Sequence, residues 1–399
     1  MSAKSEPTPL SADSTVLQII LAVSLGHLLN DLMQSLIPAA YPLVKHNLGL
    51  SFSQVGLITL VFQGTASVLQ PLVGRYTDRR PLPYAMAAGM ACSGSGLVFL
   101  AHAQSFAVVL LSVALIGLGS SIFHPEASRV ARLAAGMRPG FAQSLFQVGG
   151  NFGSALGPLA AAFVLMERGQ IAIGWFAAAA LIGMLLLGGV GRWYAIAGAA
   201  RALARKSRAR SAVPIPAATV RRGMTLLVIL MISKFVYSVS LSSYYTFYLI
   251  EQYGLTVGQS QLCLFIFLAS VAFGTIIGGP IGDRIGRRRV ILWSILGILP
   301  LTVLVPWLPL VPAVIAVALA GMILASAFPA MVVYAQDLMP QSTGMVAGLL
   351  FGLAFGSAAV GAAGLGVLAD HWGIVTVYKI CGFLPLLGLA AFLLPDLKD

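Results

Sequence analysis

The chain has 399 residues, 58% of them hydrophobic and only 9% charged, with a formal net charge of +12. So few polar side chains cannot cover a water-soluble surface of ordinary size, which excludes a soluble globular protein. Most of the chain is expected in lipid, where backbone polar groups must be satisfied within helices or closed barrels.

A polar stretch, Met1 to Ser14, precedes the first apolar run. Runs then follow over 16–42, 52–74, 82–101, 105–128, 139–166, 170–191, 224–250, 258–282, 290–306, 311–336, 344–369 and 373–394. Each lies near or above the roughly 20 residues that cross a bilayer as an α-helix, so an all-α membrane protein with twelve spans is expected. The first run reads as a span rather than a removable signal, because it carries Asp31 beyond its apolar half and lacks a small-residue cleavage site. Between 192 and 223 the composition shifts to Ala, Ser, Pro and basic residues, which marks a linker between two six-helix halves. The expected organisation is an N-terminal tail (1–15), a first bundle (16–191), the linker (192–223), a second bundle (224–394) and a C-terminal tail (395–399).

With both termini inside, every Lys and Arg of the 24 falls in a tail or an inside-facing turn except Lys45, Arg168, Lys234 and Lys379. The charge is thus a topology signal of a cytoplasmic face, not a nucleic-acid surface. Cys92, Cys263 and Cys381 each lie inside an apolar run without His at metal-ligand spacing, and read as packing residues. No metal site and no cofactor is expected.

One turn stands out: Gly278-Gly279-Pro280-Ile281-Gly282-Asp283-Arg284-Ile285-Gly286-Arg287-Arg288-Arg289. A weaker copy, Gly74-Arg75-Tyr76-Thr77-Asp78-Arg79-Arg80, puts Gly74, Asp78 and Arg79 opposite Gly279, Asp283 and Arg284, with Pro81 where a further glycine is missing. The correspondence continues, with Pro125 on Pro329, Gly140 on Gly344 and Gly157 on Gly361. Gly149, Gly153 and Gly157 in the fifth run, and Gly344, Gly348, Gly352 and Gly356 in the eleventh, give each helix a face without side chains. Pro158 after Gly157 should bend the fifth helix. The Gly-rich Asp-Arg turn resembles the signature loop of the major facilitator superfamily, which implies two halves that rock about a central cavity to expose it to each side in turn. Asp283 is expected to pair with a basic group or a helix end on the inner face. It would act there with Asp78, Arg79, Arg132, Gly279, Arg284 and Arg287 as a conformational latch; Arg129 or Arg132 is the candidate partner of Asp78.

An ionisable residue at membrane depth costs about 2.5–3.5 kcal/mol on insertion scales, so each one asks for a partner, a cavity or a function. His27, Asn30 and Asp31 share one helical face and form a candidate proton site, since a desolvated carboxylate beside an imidazole can take up and release protons. His124 and Glu126 are further candidates for proton or substrate contact, and Glu126 and Arg129, three apart, should meet. Gln143, Gln147 and Asn151 make a neutral polar stripe suited to hydrogen-bonding a ligand. Lys234, followed by Tyr237, Ser238, Ser242, Tyr244 and Tyr245, is a candidate anion receptor, with snorkelling to the membrane edge as the alternative.

Longer segments carry a closer resemblance. Ser24-Leu25-Gly26-His27-Leu28-Leu29-Asn30-Asp31, Ile122-Phe123-His124-Pro125-Glu126-Ala127-Ser128-Arg129, Phe146-Gln147-Val148-Gly149-Gly150-Asn151-Phe152-Gly153, Ser242 to Tyr248 and Tyr378 to Leu387 resemble the fosmidomycin-resistance proteins of bacteria, a family of superfamily exporters. The resemblance covers both halves and implies a monomeric inner-membrane exporter of a small anionic phosphonate, driven by protons. The Gly-x-x-x-Gly-Pro end of helix five likewise resembles an exporter motif. Two other readings are an uptake symporter for an organic anion or sugar on the same fold, and an intramembrane enzyme using His124 and Glu126, for which no nucleophile or ligand trio is visible in the sequence.

Overall fold

The computed structural model describes residues 15–50, 52–160, 164–198, 200, 203–204 and 215–397; the N-terminal tail and the most basic part of the linker lie outside them. Among the described residues the secondary structure is entirely helical. The first half contains α1 (Leu17–Ala39), α2 (Phe52–Arg79), α3 (Ala85–Ala101), α4 (Phe106–Ala134), α5 (Pro139–Ala160) and α6 (Ala177–Trp193). The second contains α7 (Ala217–Tyr253), α8 (Val257–Ile285), α9 (Arg287–Leu296, resumed at Leu299–Leu304), α10 (Leu310–Ala325, resumed at Ala327–Leu338), α11 (Thr343–Trp372) and α12 (Ile374–Cys381, continued by the 3-10 segment Leu384–Leu393). Ten of these regions are long and apolar enough to cross a membrane. The shorter α3 and the glycine-rich α5 stand at the two remaining expected positions. Large apolar side chains such as Leu60, Leu185 and Trp307 point outward, as a lipid-facing surface requires.

Helix ends follow local chemistry. Gly254, with φ +66°, closes α7, and the Thr256–Gln259 capping box opens α8 directly after it. Two boundaries differ from expectation. α7 begins at Ala217 rather than at 224, directly after Pro216, so the helix extends beyond its apolar part into the segment expected as linker. The repeat prolines also act differently: α4 runs unbroken through Pro125, whereas α10 breaks at Ser326, three residues before Pro329. There the Ser326 hydroxyl donates to the Ile323 carbonyl, 2.7 Å away, and compensates the turn.

The glycine rows set the packing. A methyl group on Gly149 or Gly153 would collide with the carbonyls of Ser24 or Leu28 on α1, and one on Gly157 with the Ser35 side chain. In the second half the row on α11 serves a different purpose, because it faces across to the first half: Gly344 meets Gly74, Gly348 meets the Gln70 carbonyl and Gly352 the Ser67 carbonyl, all on α2. Pro71 lacks the amide hydrogen that would normally bond the Ser67 carbonyl, so that oxygen is left facing α11. The halves therefore meet along two seams, α2 with α11 and α5 with α8.

Candidate functional site

At the end of the bundle that carries the arginine-rich turns, the two repeat aspartates cross between halves. Asp78, at the end of α2, accepts from the amides of Gly344 (3.0 Å) and Met345 (2.8 Å) at the start of α11. Asp283, at the end of α8, accepts from the amides of Gly140 and Phe141, both 2.9 Å away, at the start of α5. A helix N-terminus offers unpaired amides and the positive end of the helix dipole, so a carboxylate there replaces a cap. Each half thus caps a helix of the other.

Charged groups surround both caps. Arg129 binds Glu126, donates to the Thr77 carbonyl and stands 3.8 Å from Asp78, with its guanidinium over the Tyr194 ring. Arg132 pairs with Asp337, late in α10, where sequence reading places a gate or interface residue. Arg287 joins this group, 3.0 Å from Asp337 and 3.9 Å from Asp283. Of the two arginines that could face Asp78, Arg129 stands beside it, while Arg132 bridges to the second half. Arg79 and Arg284 are exposed; Arg79 lines a cavity of about 520 Å³ with Arg75, Asp78, Met339, Gln341, Ser342 and Met345. The surroundings of Gly279 and the side chain of Pro158 lie outside the described residues.

Deeper in the first half, α1 and α4 bring His27, Asp31 and His124 together. His27 Nε2 is 3.3 Å from one Asp31 oxygen and His124 Nε2 is 3.5 Å from the other. The amides of Asn30 and Gln34 donate to Asp31 Oδ1 at 3.0 and 2.9 Å. His27 stacks on Phe146 of α5, and His124 packs against Phe351 and Phe355 of α11, so the second half closes over the cluster. Glu126 belongs to the Arg129 group instead. The expectation that no ligand trio accompanies His124 is corrected here: the trio forms between helices, and spacing along the chain could not reveal it. Gly150 is a further contributor that sequence reading passed over, since a methyl group there would press on His27 Nε2 and Asp31.

The polar stripe on α5 links the halves. Ser128 donates to Gln143 at 3.0 Å and receives from Gln336 of α10 at 3.3 Å, while Asn151 donates to Thr275 of α8 at 3.0 Å. Gln147 is half-buried with a partnerless oxygen. Lys234 sits near the middle of the 37-residue α7 and is only 6% exposed, which removes the snorkelling alternative. Its ammonium lies 4.1 Å from the Phe235 ring centroid and 5.8 Å from that of Phe328. No carboxylate pairs with it among the described residues. Tyr237 is buried, and the Tyr244 hydroxyl donates to the Ala362 carbonyl of α11 at 2.6 Å, which makes that tyrosine a packing contact in this state.

Two six-helix halves that meet along two seams, repeat aspartates that cap each other's helices and buried charge between them are features of a transporter, and the sequence pattern of the Major Facilitator Superfamily matches residues 23–354 and 226–399. The chain belongs to this superfamily. It is 50% identical to the Fosmidomycin resistance protein of Escherichia coli (strain K12) over 99% of this chain and 98% of that protein. It is 41% identical to the uncharacterized MFS-type transporter YfnC of Bacillus subtilis (strain 168), over 98% of this chain and 96% of that one. Among solved structures, the E. coli fucose:proton symporter FucP superposes with a TM-score of 0.74 at 15% identity, covering 96% of this chain and 99% of its own. The human organic anion transporter MFSD10 gives 0.74 at 20% identity, covering 95% and 99%. These two likenesses concern the fold. The molecule is a multi-pass membrane transporter, not an enzyme.

Proposed function

We propose that this transporter exports fosmidomycin-like anionic phosphonates across the bacterial inner membrane in exchange for protons, by alternating access between bundles 16–191 and 224–394. The observation that carries this reading is the near-full-length identity to a protein named for fosmidomycin resistance. The site chemistry supports it. Lys234, buried without a carboxylate, suits an anionic group, because a desolvated ammonium gains most from a charge-assisted hydrogen bond. Asn30, Gln147, Asn151, Tyr237, His124 and Arg129 are the further substrate contacts proposed when the seams open, and Tyr244 would have to leave Ala362 to join them. Asp31, flanked by His27 and His124, is the proposed proton site, with Glu126 as a second carrier once Arg129 releases it.

In this reading the arginine-rich end is cytoplasmic, with both termini on that side, and the linker 192–223 joins the bundles there. The crossed caps of Asp78 and Asp283, with Arg79, Arg132, Arg284 and Arg287, hold the cytoplasmic end shut in the outward-facing state and part to admit substrate from the cytoplasm. Exchanging one monoanion outward for one proton inward moves two charges, worth about 4.6 kcal/mol at 100 mV inside negative, so no ATP is needed. The protein works as a monomer, since each bundle finds its partner within the chain.

The test is transport in vesicles with an imposed pH gradient of known orientation. Wild-type protein is expected to move fosmidomycin against the direction of proton flow, and Asp31→Asn to abolish the gradient-driven component. Accumulation along the proton flow would make the protein a symporter and overturn the export reading. Wild-type coupling in Asp31→Asn would move the proton site to Glu126 or His124.

A further inference from the structure

We propose that His27, Asp31 and His124 form a binding site for one divalent transition-metal ion of the Zn²⁺, Co²⁺ or Ni²⁺ class. This inference goes beyond the export reading and does not depend on it, although a bound metal and the proposed proton would compete for the same three side chains. Its starting point is the direction of the hydrogen bonds. His27 Nδ1 lies 2.8 Å from the Phe146 carbonyl, and His124 Nδ1 lies 3.0 Å from the Ser120 carbonyl, with the Ser120 hydroxyl 3.1 Å from the same nitrogen. A carbonyl only accepts, so in each ring Nδ1 carries a hydrogen, and a neutral imidazole would then present its lone pair at Nε2. Both lone pairs face the Asp31 carboxylate. His124 is fully buried, and its Nε2 has no hydrogen-bond partner. Three acceptors aimed at one another repel unless a proton or a metal cation lies among them.

Distance favours a metal ion in that gap. Charge-assisted imidazolium–carboxylate bonds close to about 2.7–2.9 Å. The observed separations are 3.3 Å from His27 to Asp31 Oδ2 and 3.5 Å from His124 to Asp31 Oδ1, so the two rings face different oxygens of one carboxylate, and one ligand atom from each residue lies within 4.8 Å of the others. Two ligands bound about 2.1 Å from one ion at 90–110° stand about 3.0–3.5 Å apart. Two imidazoles and one carboxylate select borderline transition metals over magnesium or calcium, which prefer oxygen alone. The outer contacts are those of a metal site as well: a backbone carbonyl on each Nδ1, and the Asn30 and Gln34 amides on Asp31 Oδ1. Gly150 keeps the gap clear, because a methyl group there would intrude on His27 Nε2 and Asp31 Oδ2. The Asp31 side chain is 13% exposed, so the coordination positions left by three protein ligands are open to water or to a chelating ligand arriving on that side.

The experiment uses full-length protein purified in detergent through a tag without histidine, stripped with chelator and titrated with Co²⁺ by visible absorption and with Zn²⁺ by calorimetry. One ion per chain is expected, with metal-dependent thermal stabilisation. His27→Gln and His124→Gln should each weaken binding about 10- to 100-fold, while His102→Gln and His371→Gln leave it unchanged. Gly150→Ala should weaken binding without removing a ligand, and it carries the test if a triad variant does not fold by size exclusion and melting without metal. Absence of stoichiometric Co²⁺ binding, or equal binding in the triad variants and wild type, overturns the proposal. Transport with chelator present separates the two readings. Proton-driven export without metal binding ends only the metal site, and metal binding without proton-driven export ends only the coupling scheme.

Discussion

The crossed caps make a quantitative prediction for Asp283→Ala. The carboxylate accepts two amide hydrogens at 2.9 Å, from Gly140 and Phe141, and has Arg287 at 3.9 Å. Hydrogen bonds to a charged group contribute about 1.5–3 kcal/mol each, and the two amides share one partly exposed carboxylate that water can replace when the seam opens. A net loss of about 2–4 kcal/mol from the closed arrangement follows, enough to shift the ratio of closed to open forms about 30- to 1000-fold. Asp78 and its cap on α11 stay intact, so the protein should remain folded. Spin labels at Met137 and Gln341, exposed residues that flank the capped ends of α5 and α11, would report the distance across the seam after the three native cysteines are replaced. Wild-type protein should show a dominant short distance, and Asp283→Ala a large long-distance population with impaired turnover and nearly unchanged substrate affinity. An unchanged distance distribution would refute the latch, as would equal loss of binding and turnover.

Lys234→Met keeps the apolar stem and removes the charge, so the dissociation constant for a phosphonate should rise about tenfold to more than a hundredfold, from a loss of about 1.5–3 kcal/mol. Binding of neutral compounds should be spared, and an unchanged constant for the phosphonate would move the anion site toward His124 and Arg129. Gly348→Val places a branched side chain against the Gln70 carbonyl of α2. It should destabilise the closed seam by about 1–3 kcal/mol and lengthen the same spin-label distance, whereas an unshifted distribution would show that α2 and α11 yield without cost.

Individual residues show how much was legible in the chain. His27, Asn30 and Asp31 share a helical face by spacing alone, and the pairing of Glu126 with Arg129 follows from a three-residue interval. Gly140 and Gly344 were visible as repeat mates, as were Asp78 and Asp283. That each aspartate reaches the other half's glycine, Asp78 to Gly344 and Asp283 to Gly140, was not legible, because helical periodicity describes one helix and not its neighbour. Tyr244 read as a ligand contact for the same reason: a hydroxyl among hydroxyls on α7, with its Ala362 acceptor more than a hundred positions away.

The helical membrane fold, the two related halves and the basic end were legible in the chain alone. Lipid enforces these through length, apolarity and charge placement, all of which are local properties of the chain. Packing between helices settled which charges meet. It set α11 against α2 and α8 against α5, gave Arg132 to Asp337, buried Lys234 among phenylalanines and closed His124 over Asp31. Such contacts depend on the rotation and depth of one helix relative to another. Side-chain-free glycine faces and close-packed apolar surfaces fix that geometry only when every helix is in place.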